Sequence, residues 1–524
     1  MPEHHSPLRD VALRPQSITE RLFQGLEQAS GRVILTDGPT GASFTGQALA
    51  DRIRRLAGGL QAVGVGPGTV IALLAPNLPD YAVVFHAAAL AGATVTTLNP
   101  TYTAPEAAHQ LKDSGASLMV TIPAFLPVAT AAVEGSKVRE IITIGPADGH
   151  RQLEDLMGLP LMAQVPVDLD THVLALPYSS GTTGLPKGVM LSHRNMVVNV
   201  DQALALLDVQ PGETTVAFLP FFHIYGMNVL MNTFLAHGAG LVTMPRFDLA
   251  AMLGHIQTHR VEKLYIAPPV AIALAKHPLV DAYDLSSLKV IMSAAAPLGA
   301  DVAGAVSQRL GCAVIQGYGM TELSPLTHVV PHRAPKPGSV GVSAPNTATR
   351  IVNPETLVDS PDGQEGEVWV RGPQVMIGYL GRPEATAAMV QDGWLRTGDL
   401  GVVDADGYLF IRDRLKELIK VKGFQVAPAE VEGQLLGLPG VADAAVIGVP
   451  DDEAGERPLA FVVRQAGIQI TDAEVVAGLK PLLASYKLPT RVIFVEAIPK
   501  SASGKILRRV LRDGLASGGQ SSGG

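Results

Sequence analysis

The chain has 524 residues, of which 47% are hydrophobic and 17% are charged, and its formal net charge is −8. This length is too great for one ordinary hydrophobic core, so at least two domains are expected. The acidic balance argues against a general nucleic-acid-binding protein, and the single cysteine, Cys312, excludes an intramolecular disulfide framework and suits a reducing compartment.

The first hundred residues contain no pattern typical of secretion or membrane insertion. The N-terminal "MPEHHSPLRD" has neither the basic region nor the apolar core of a signal peptide. The longest apolar stretch, "YAVVFHAAALAGATVTTL" from Tyr81, is interrupted by His86, Gly92 and three threonines, so it predicts a buried helix running into a strand. We therefore expect a cytoplasmic protein that does not bind membranes.

Up to residue 413, short runs rich in Val, Ile and Leu alternate with alanine-rich helical patterns. The strand-like runs are "TVIALLAP", "ATVTTLNP", "ASLMVTIP", "GLVTMPRF", "KLYIAPP" and "VIMSAAAP". This alternation predicts an α/β domain whose layered sheets are mainly parallel.

After residue 413 the pattern changes to a compact α+β unit. Strand-like "VADAAVIGVP", "PLAFVVRQ" and "RVIFVEAIP" surround the helical pattern "DAEVVAGLKPLLASY". We expect a large domain over residues 1–413 and a small domain over residues 414–515. The Gly- and Ser-rich residues 516–524 predict a flexible tail.

The segment "YSSGTTGLPKGV", residues 178–189, combines hydroxyl side chains and glycines with Lys187 and contains no acidic residue. Hydroxyls and exposed backbone N–H groups suit phosphate oxygens, and the lysine adds a cation. Because Lys187 lies between a proline and a glycine, the hydroxyl of a Walker A loop is missing, and neither serine is flanked as in a nucleophile elbow. The segment favours a nucleotide site, with a flexible surface turn as the alternative.

Four further motifs follow in chain order: "QGYGMTE" (316–322), "RTGDLG" (396–401), "RDRLKELIKVKGFQVAPAEVE" (412–432) and "PKSASGKI" (499–506). Together with residues 178–189 they resemble the adenylate-forming superfamily of acyl-CoA synthetases, carrier-loading adenylation domains and firefly-type luciferases. "LPFFHIYGMN", "VIMSAAAPLG" and "KELIKVKGFQVAPAE" are most similar to 4-coumarate/cinnamate CoA ligases of bacterial type. The resemblance implies that the small domain is a mobile lid.

The resemblance implies ATP-dependent ligation of a phenylpropanoid-type acid to CoA in two steps. An acyl-AMP would form with release of pyrophosphate, and CoA would then take the acyl group, so ATP, Mg²⁺ and CoA are the implied cofactors. In the first step a carboxylate meets the α-phosphate, and two such charges 4 Å apart repel by roughly 4 kcal/mol at an effective dielectric near 20. A cation is needed between them.

The resemblance assigns that cation to Lys505 in "SGK", which would contact both the carboxylate and the α-phosphate. His223 in "FFHIYG" would orient the carboxylate, although a histidine between aromatic residues is by itself more often a core residue. Thr321 would bond the α-phosphate. Glu322, together with Thr183, would bind Mg²⁺, a hard cation that prefers oxygen ligands.

The remaining nucleotide contacts are also assigned by resemblance. The residues expected to hold the β- and γ-phosphates are Ser179, Ser180, Gly181, Thr182, Thr183 and Lys187. Tyr318 would stack on adenine, and the residues around the base would be Ala294, Ala296, Pro297, Gln316 and Gly317. Asp399 would accept from the ribose hydroxyls with Arg414 beside it.

The acyl pocket implied by the resemblance is apolar, as most ligand pockets are, and is lined by Tyr225, Val229, Ala294, Gly317, Gly319, Pro325, Leu326 and Val329. Plant coumarate ligases commonly have a serine at the position of Val229. The valine leaves a phenolic hydroxyl without that partner and favours cinnamate or a medium-chain aliphatic acid.

The second half-reaction would use other residues. The loop that lines the pantetheine tunnel would be Lys422, Gly423 and Phe424, with Arg246 near the CoA phosphates and Lys420 near the nucleotide phosphates. Lys416 coincides with the hinge of the family, so the small domain is expected to swing between two orientations.

Several functions stay open at this point. They are a medium-chain fatty acyl-CoA ligase, a stand-alone adenylating enzyme that passes the acyl group to an amine or carrier protein, a luciferin oxygenase and a non-enzymatic ATP-binding module. The expected partners are small molecules only, and the expected assembly is a monomer or homodimer.

Overall fold

The computed structural model describes residues 3–179, 186–422, 424–451, 453–501 and 504–518. No helix among these residues is long and apolar enough to cross a membrane. The α-helices are Ile18–Gln28, Gly46–Ala62, Pro79–Leu90, Ala104–Ser114, Leu126–Val133, His193–Leu207, Thr233–Ala236, Leu249–His259, Pro268–Lys276, Ala300–Leu310, Pro383–Met389, Pro428–Gly437, Asp472–Leu479 and Arg508–Gly518. The shorter helical turns are Pro123–Phe125, Leu153–Leu156, Pro278–Ala282, Thr321–Leu323 and Ser485–Lys487, and Tyr225–Asn232 forms a π-helix.

Helix ends follow local capping chemistry. The first long helix starts at Ser17, whose hydroxyl accepts from the backbone N–H of Glu20 while the Glu20 carboxylate accepts from the N–H of Ser17. Such a cap stabilises a helix by about 1 kcal/mol. Helix Ala300–Leu310 shows the corresponding signal at a C-terminus. The residue after it, Gly311, adopts the left-handed conformation that ends helices.

The first sheet of the large domain is nine-stranded. In spatial order its strands are Tyr178–Ser179, Lys187–Ser192, Val173–Ala175, Thr94–Thr97, Val70–Leu74, Leu118–Thr121, Ile141–Thr143 and Arg151–Gln152, and Gly378–Tyr379 pairs with Lys187–Ser192. The strands from Val173–Ala175 to Arg151–Gln152 run parallel. Helices cover such sheets on both faces, which is why these runs are continuously apolar.

Two further sheets complete the α/β part. The four-stranded sheet contains Thr214–Ala217, Gly240–Thr243, Val33–Asp37 and Ser43–Thr45. The five-stranded sheet contains Lys263–Ile266, Val290–Ser293, Ala313–Gly319, Leu326–Val329 and Val342–Ser343, and its first three strands are parallel. The apolar stretch from Tyr81 is a helix followed by a strand, as predicted.

The last sheet of the large domain is antiparallel throughout, and its strands are His4–His5, Ala348–Val352, Gly366–Arg371, Trp394–Val403, Val390–Gln391 and Leu409–Arg414. Cation–π contacts cross three of its strands. Arg350 lies 5.7 Å from the ring centre of Trp369 and 5.2 Å from that of Trp394. Arg396 lies over Trp369 and Arg371 over Trp394, at 5.3 and 4.5 Å.

The small domain has one five-stranded sheet, formed by Phe424–Val426, Ile419–Val421, Gly455–Arg464, Val441–Asp451 and Arg491–Phe494. Its core is separate from that of the large domain. The guanidinium of Arg508 donates to Glu417 at 2.6 Å and to Glu432 at 2.8 Å, which ties the last helix to the segment that enters the domain.

The fold class is confirmed: a large N-terminal domain of mixed α/β layers precedes a small α+β C-terminal domain. Helix Asp472–Leu479 is shorter than its pattern predicted. Lys480 keeps helical dihedral angles, but Pro481 has no backbone N–H to donate and so interrupts the helical hydrogen bonding. The exact boundary after residue 413 stays a prediction.

Candidate active site

The nucleotide residues gather where parallel strands end. Val290–Ser293 leads directly into Ala294, and the neighbouring Ala313–Gly319 carries Gln316 and Tyr318 at its carboxyl end. Ligands bind at this end of open α/β sheets. The Gln316 side chain accepts from the backbone N–H of Leu298 at 2.9 Å, which holds the loop containing Ala296 and Pro297 against the strand.

Tyr318, Asp399 and Arg414 form one polar cluster although they lie on three different strands. The Tyr318 hydroxyl donates to Asp399 Oδ2 at 2.6 Å, and Arg414 Nε lies 3.2 Å from Asp399 Oδ1. Burial raises the pKa of Asp399, while Arg414 and Tyr318 act in the opposite direction. A buried carboxylate held by two donors is suited to accepting from vicinal hydroxyls such as those of a ribose.

A second cluster lies at the phosphate loop. Ser179 and Tyr379 donate to the same oxygen of Glu322, Oε1, at 3.1 and 2.8 Å. The ammonium of Lys187 lies 4.7 Å from the ring centre of Tyr379. Of the expected phosphate-binding residues, Ser180, Gly181, Thr182 and Thr183 lie outside the described residues.

The donor set around Glu322 fits Mg²⁺. The carboxylate is 5% exposed, and both hydrogen bonds described for it fall on Oε1, so Oε2 is available as an oxygen ligand. Within the described segments no group of three or more His, Cys, Asp or Glu side chains could hold a metal. Mg²⁺ commonly binds through one or two carboxylates together with substrate phosphates. A site with Glu322 as its one acidic ligand is consistent with this.

Lys505 reaches this site from the small domain. Its charge interacts with Arg414, Asp399 and His223 of the site. Burial, followed by the Arg414 guanidinium, lowers the pKa of Lys505 to about 8, so the side chain is a cation at neutral pH. The adjacent Gly504 packs on the large domain: a Cβ there would lie 3.0 Å from the Ala267 methyl group.

His223 is half-buried beside the π-helix that carries Tyr225 and Val229. Burial, followed by the charge of Lys505, lowers the pKa of His223 to about 4, so its ring is neutral at working pH. Its Nδ1 accepts from the Tyr225 backbone N–H at 3.2 Å, which places the ring proton on Nε2. A neutral N–H donor can orient a carboxylate without acting as a base.

The expected acyl-pocket residues come together on adjacent elements. Strand register places Gly317 opposite Val329 and Gly319 opposite Leu326. A Cβ on Gly319 would lie 2.0 Å from the Pro325 carbonyl oxygen, so only glycine permits this approach. The apolar side chains of this set are buried, namely Tyr225, Val229, Ala294, Leu326 and Val329. Thr321 begins the turn that follows the Gly319 strand.

The residues expected for CoA are presented differently. Phe424 is 58% exposed and stacks on Tyr486, with ring centres 4.8 Å apart. Exposed positions are also occupied by Arg246, Lys416, Lys420 and Lys422, and Gly423 lies outside the described residues. The structure therefore brings Lys505 to the ATP-site residues while the face carrying Phe424 is open.

Tyr379 was missed by sequence reasoning. It follows the glycine of "VMIGYLG" without any polar pattern around it, and its carboxylate partner lies 57 residues earlier. A tyrosine four residues before the start of the "PEAT" helix carries no local signal for an active site.

A carboxylate that contacts a tyrosine and an arginine, a lysine at a Gly-rich loop and a second lysine from the small domain define a class of enzymes that activate carboxylic acids with ATP. The family model described as "AMP-binding enzyme" matches residues 22–380, and "AMP-binding enzyme C-terminal domain" matches residues 430–505. The chain belongs to this family. It is an AMP-forming acid–thiol ligase, and ATP, Mg²⁺ and CoA are its cofactors.

Curated relatives match along nearly the whole chain. 4-Coumarate–CoA ligase 5 of Oryza sativa subsp. japonica is 41% identical, covering 98% of this chain and 97% of that protein. 4-Coumarate–CoA ligase 2 of Petroselinum crispum is also 41% identical, covering 95% and 93%.

Solved structures agree with the fold. ATP-bound MatB from Rhodopseudomonas palustris superposes with a TM-score of 0.87 at 31% identity, covering 95% of this chain and 99% of that one. The anthranilate CoA ligase AuaEII in complex with anthranoyl-AMP gives 0.89 at 26% identity, covering 97% and 99%. The amide bond synthetase McbA from Marinactinospora thermotolerans gives 0.85 at 29% identity, covering 95% of this chain and 99% of that one.

Proposed function

We propose that the chain joins a phenylpropanoid-type acid, cinnamate or 4-coumarate, to CoA through an acyl-AMP intermediate. The observation that carries this proposal is the 41% identity, over nearly full length, to proteins named 4-coumarate–CoA ligases. The protein would work in the cytoplasm as a monomer or homodimer, without nucleic-acid or membrane partners.

In the first half-reaction the chain brings two anions together. Lys505, a cation at neutral pH, would bridge the acid's carboxylate and the α-phosphate and remove a repulsion of roughly 4 kcal/mol. His223 would donate Nε2–H to the carboxylate and fix its direction of attack. Thr321 would hold the α-phosphate, and Mg²⁺ bound at Glu322 would neutralise charge on the phosphates.

The ATP is oriented by groups that touch its other parts. Asp399 would accept from the ribose hydroxyls, with Arg414 beside it, and the ring of Tyr318 would cover the adenine. Lys187 and the hydroxyls of the phosphate loop would hold the β- and γ-phosphates that leave as pyrophosphate. These contacts fix the α-phosphate in place before the carboxylate attacks.

The second half-reaction needs another face of the small domain. We propose that rotation at Lys416 withdraws Lys505 and brings the 422–424 loop to the site, where it lines the path of the pantetheine arm. The exposure of Phe424 and Lys422 supports this step, because neither side chain is committed to the large domain.

The acid is tested by a panel in which cinnamate, 4-coumarate and octanoate are assayed for pyrophosphate release with and without CoA. Burying a phenol without a partner costs about 1–3 kcal/mol, or roughly 5- to 150-fold in kcat/KM. Wild type should therefore use cinnamate at least as well as 4-coumarate, and Val229→Ser should shift the ratio toward the phenol. Turnover of octanoate alone would replace the proposal with a fatty acyl-CoA ligase.

An amine acceptor is the second candidate. The amide bond synthetase McbA has a similar fold over 95% of this chain at 29% identity. A parallel assay with supplied acyl-AMP, comparing CoA with a primary amine, separates the two functions. Faster consumption of acyl-AMP by the amine would contradict CoA ligation.

A further inference from the structure

One buried side chain touches both the carboxylate and the lysine that serve the phosphates. The Tyr379 hydroxyl donates to Glu322 Oε1 at 2.8 Å, and the face of its ring lies 4.7 Å from the ammonium of Lys187. Tyr379 is 5% exposed, and Lys187 beside it is half-buried. Neither contact was assigned by the sequence motifs.

The backbone holds Tyr379 firmly relative to both partners. It pairs with Val189 in strand Lys187–Ser192. The N–H of Leu380 donates to the Gly188 carbonyl at 2.9 Å. On the other side, the N–H of Met376 donates to the carbonyl of Glu322 at 2.9 Å. Residues 376–380 therefore connect strand Lys187–Ser192, the phosphate strand, to the turn that carries Glu322.

Both contacts of Tyr379 are electrostatically favourable. Burial, with the neighbouring Glu322 carboxylate, raises the pKa of Tyr379 well above its ordinary range, so its hydroxyl is a neutral donor at working pH. Its hydrogen bond and that of Ser179 fall on one carboxylate oxygen, which fixes the rotation of Glu322. The negative face of the ring attracts the Lys187 ammonium.

The phosphate strand also provides an internal control. Tyr178 pairs with Gly188 from the opposite edge of the strand, and its hydroxyl donates to Asp113 at 2.8 Å. Asp113 in turn accepts from Arg382 at 3.1 Å. Tyr178 is thus a second tyrosine that pairs with this strand, and its hydroxyl donates to a carboxylate other than Glu322.

We propose that Tyr379 is a positioning residue that sets Glu322 and Lys187 at a fixed separation, so that the metal-binding oxygen and the phosphate-binding ammonium are aligned before Mg·ATP arrives. The Tyr379 hydroxyl positions the Glu322 carboxylate, and the Tyr379 ring positions the Lys187 ammonium. This inference rests on the ATP chemistry of the proposed function and is independent of which acid is used.

The test measures ATP binding by calorimetry in the absence of acid and CoA, once with Mg²⁺ and once with EDTA. A hydrogen bond to a charged group is lost in Tyr379→Phe, so the Kd for ATP with Mg²⁺ should rise by about tenfold. Its Kd in EDTA should match that of wild type, because the ring under Lys187 is kept. Tyr379→Leu should weaken binding under both conditions.

Tyr178→Phe is the matched control and should leave the effect of Mg²⁺ on ATP binding as it is in wild type. An unchanged Mg²⁺ effect in Tyr379→Phe would overturn the proposal, and so would an equal loss with Mg²⁺ and with EDTA, which would indicate a structural role only. Failure of the wild type to bind ATP under either condition would instead contradict the proposed function.

Discussion

Lys505 is the residue on which the proposed division between the two half-reactions depends. It belongs to the small domain, yet its charge interacts with Asp399, Arg414 and His223 on or beside the large-domain site. Lys505→Ala should reduce adenylation by at least about 100-fold, the scale for losing one preorganised charge-stabilising donor. Pyrophosphate release measures this step, and thioester formation from supplied acyl-AMP should be largely spared. Equal losses in both steps would contradict the assignment.

The same lysine predicts a pH dependence with a definite sign. Its pKa is lowered to about 8, first by burial and then by Arg414, so the ammonium is present below that pH and lost above it. Adenylation should therefore decline as the pH rises through about 8, whereas thioester formation from acyl-AMP should not share the decline. Lys505→Arg keeps its charge at all these values, so any residual activity in that variant should show no such decline. A pH–rate profile of each half-reaction provides the measurement.

For single residues, the sequence predicted which motif residues are candidates for the site. It did not predict the residues that hold those candidates in position. Lys505, Asp399 and Glu322 stand in segments whose order along the chain carries the family signal. Tyr379 bonds Glu322, which lies 57 residues earlier in the chain, and no local pattern encodes that contact. The roles assigned to the motif residues stay predictions until the variants above are measured.

At the scale of elements, Gly319 controls how closely strand Ala313–Gly319 approaches the following turn. A Cβ would lie 2.0 Å from the Pro325 carbonyl oxygen, so Gly319→Ala must displace the backbone that carries Leu326. We expect KM for the acid to rise more than KM for ATP, with destabilisation on the order of 1–3 kcal/mol. Steady-state kinetics and a thermal melt of the same preparation measure both effects.

Gly304 is the matched control. It lies inside helix Ala300–Leu310, where a Cβ would meet nothing within 4 Å. Gly304→Ala should stabilise the protein by about 0.5–1 kcal/mol, because alanine loses less conformational freedom in a helix. A rise in the KM for the acid in Gly304→Ala as large as in Gly319→Ala would contradict the steric argument.

The elements themselves were predictable where the apolar runs are continuous. Val70–Leu74 and Val290–Ser293 are buried strands of parallel sheets, and such strands lack the alternation that solvent imposes. The antiparallel sheet around Trp394–Val403 was not expected. Its short strands depend on cross-strand register, for example Arg350 opposite Trp369, and register is set by contacts distant in sequence.

At the scale of the whole molecule, the proposed mechanism requires the small domain to present one face in each half-reaction. Lys505 lies toward the large domain while Phe424 is exposed, which agrees with the orientation needed for adenylation. Gly423→Leu should obstruct the path of the thiol, so acyl-AMP should still form with release of pyrophosphate while CoA turnover falls. Normal CoA turnover in this variant would show that the thiol enters elsewhere.

The contacts of Arg508 with Glu417 and Glu432 explain how such a rotation would carry Lys505 together with the small domain. Arg508 is three residues after Lys505, and it bonds Glu417, which directly follows the proposed hinge residue. The segment at Lys416 and the segment that carries Lys505 are therefore joined by an ion pair inside the small domain. A change of backbone direction at Lys416 would therefore reorient Lys505.

The stacked arginines and tryptophans of the antiparallel sheet have a spectroscopic consequence. Trp369 and Trp394 are the two tryptophans of the whole chain, and both lie in the large domain. Intrinsic tryptophan emission therefore reports on this one sheet and not on the small domain. If the small domain unfolds on its own, circular dichroism changes while the emission stays native, so two probes of one sample would read the stability of each domain without any label.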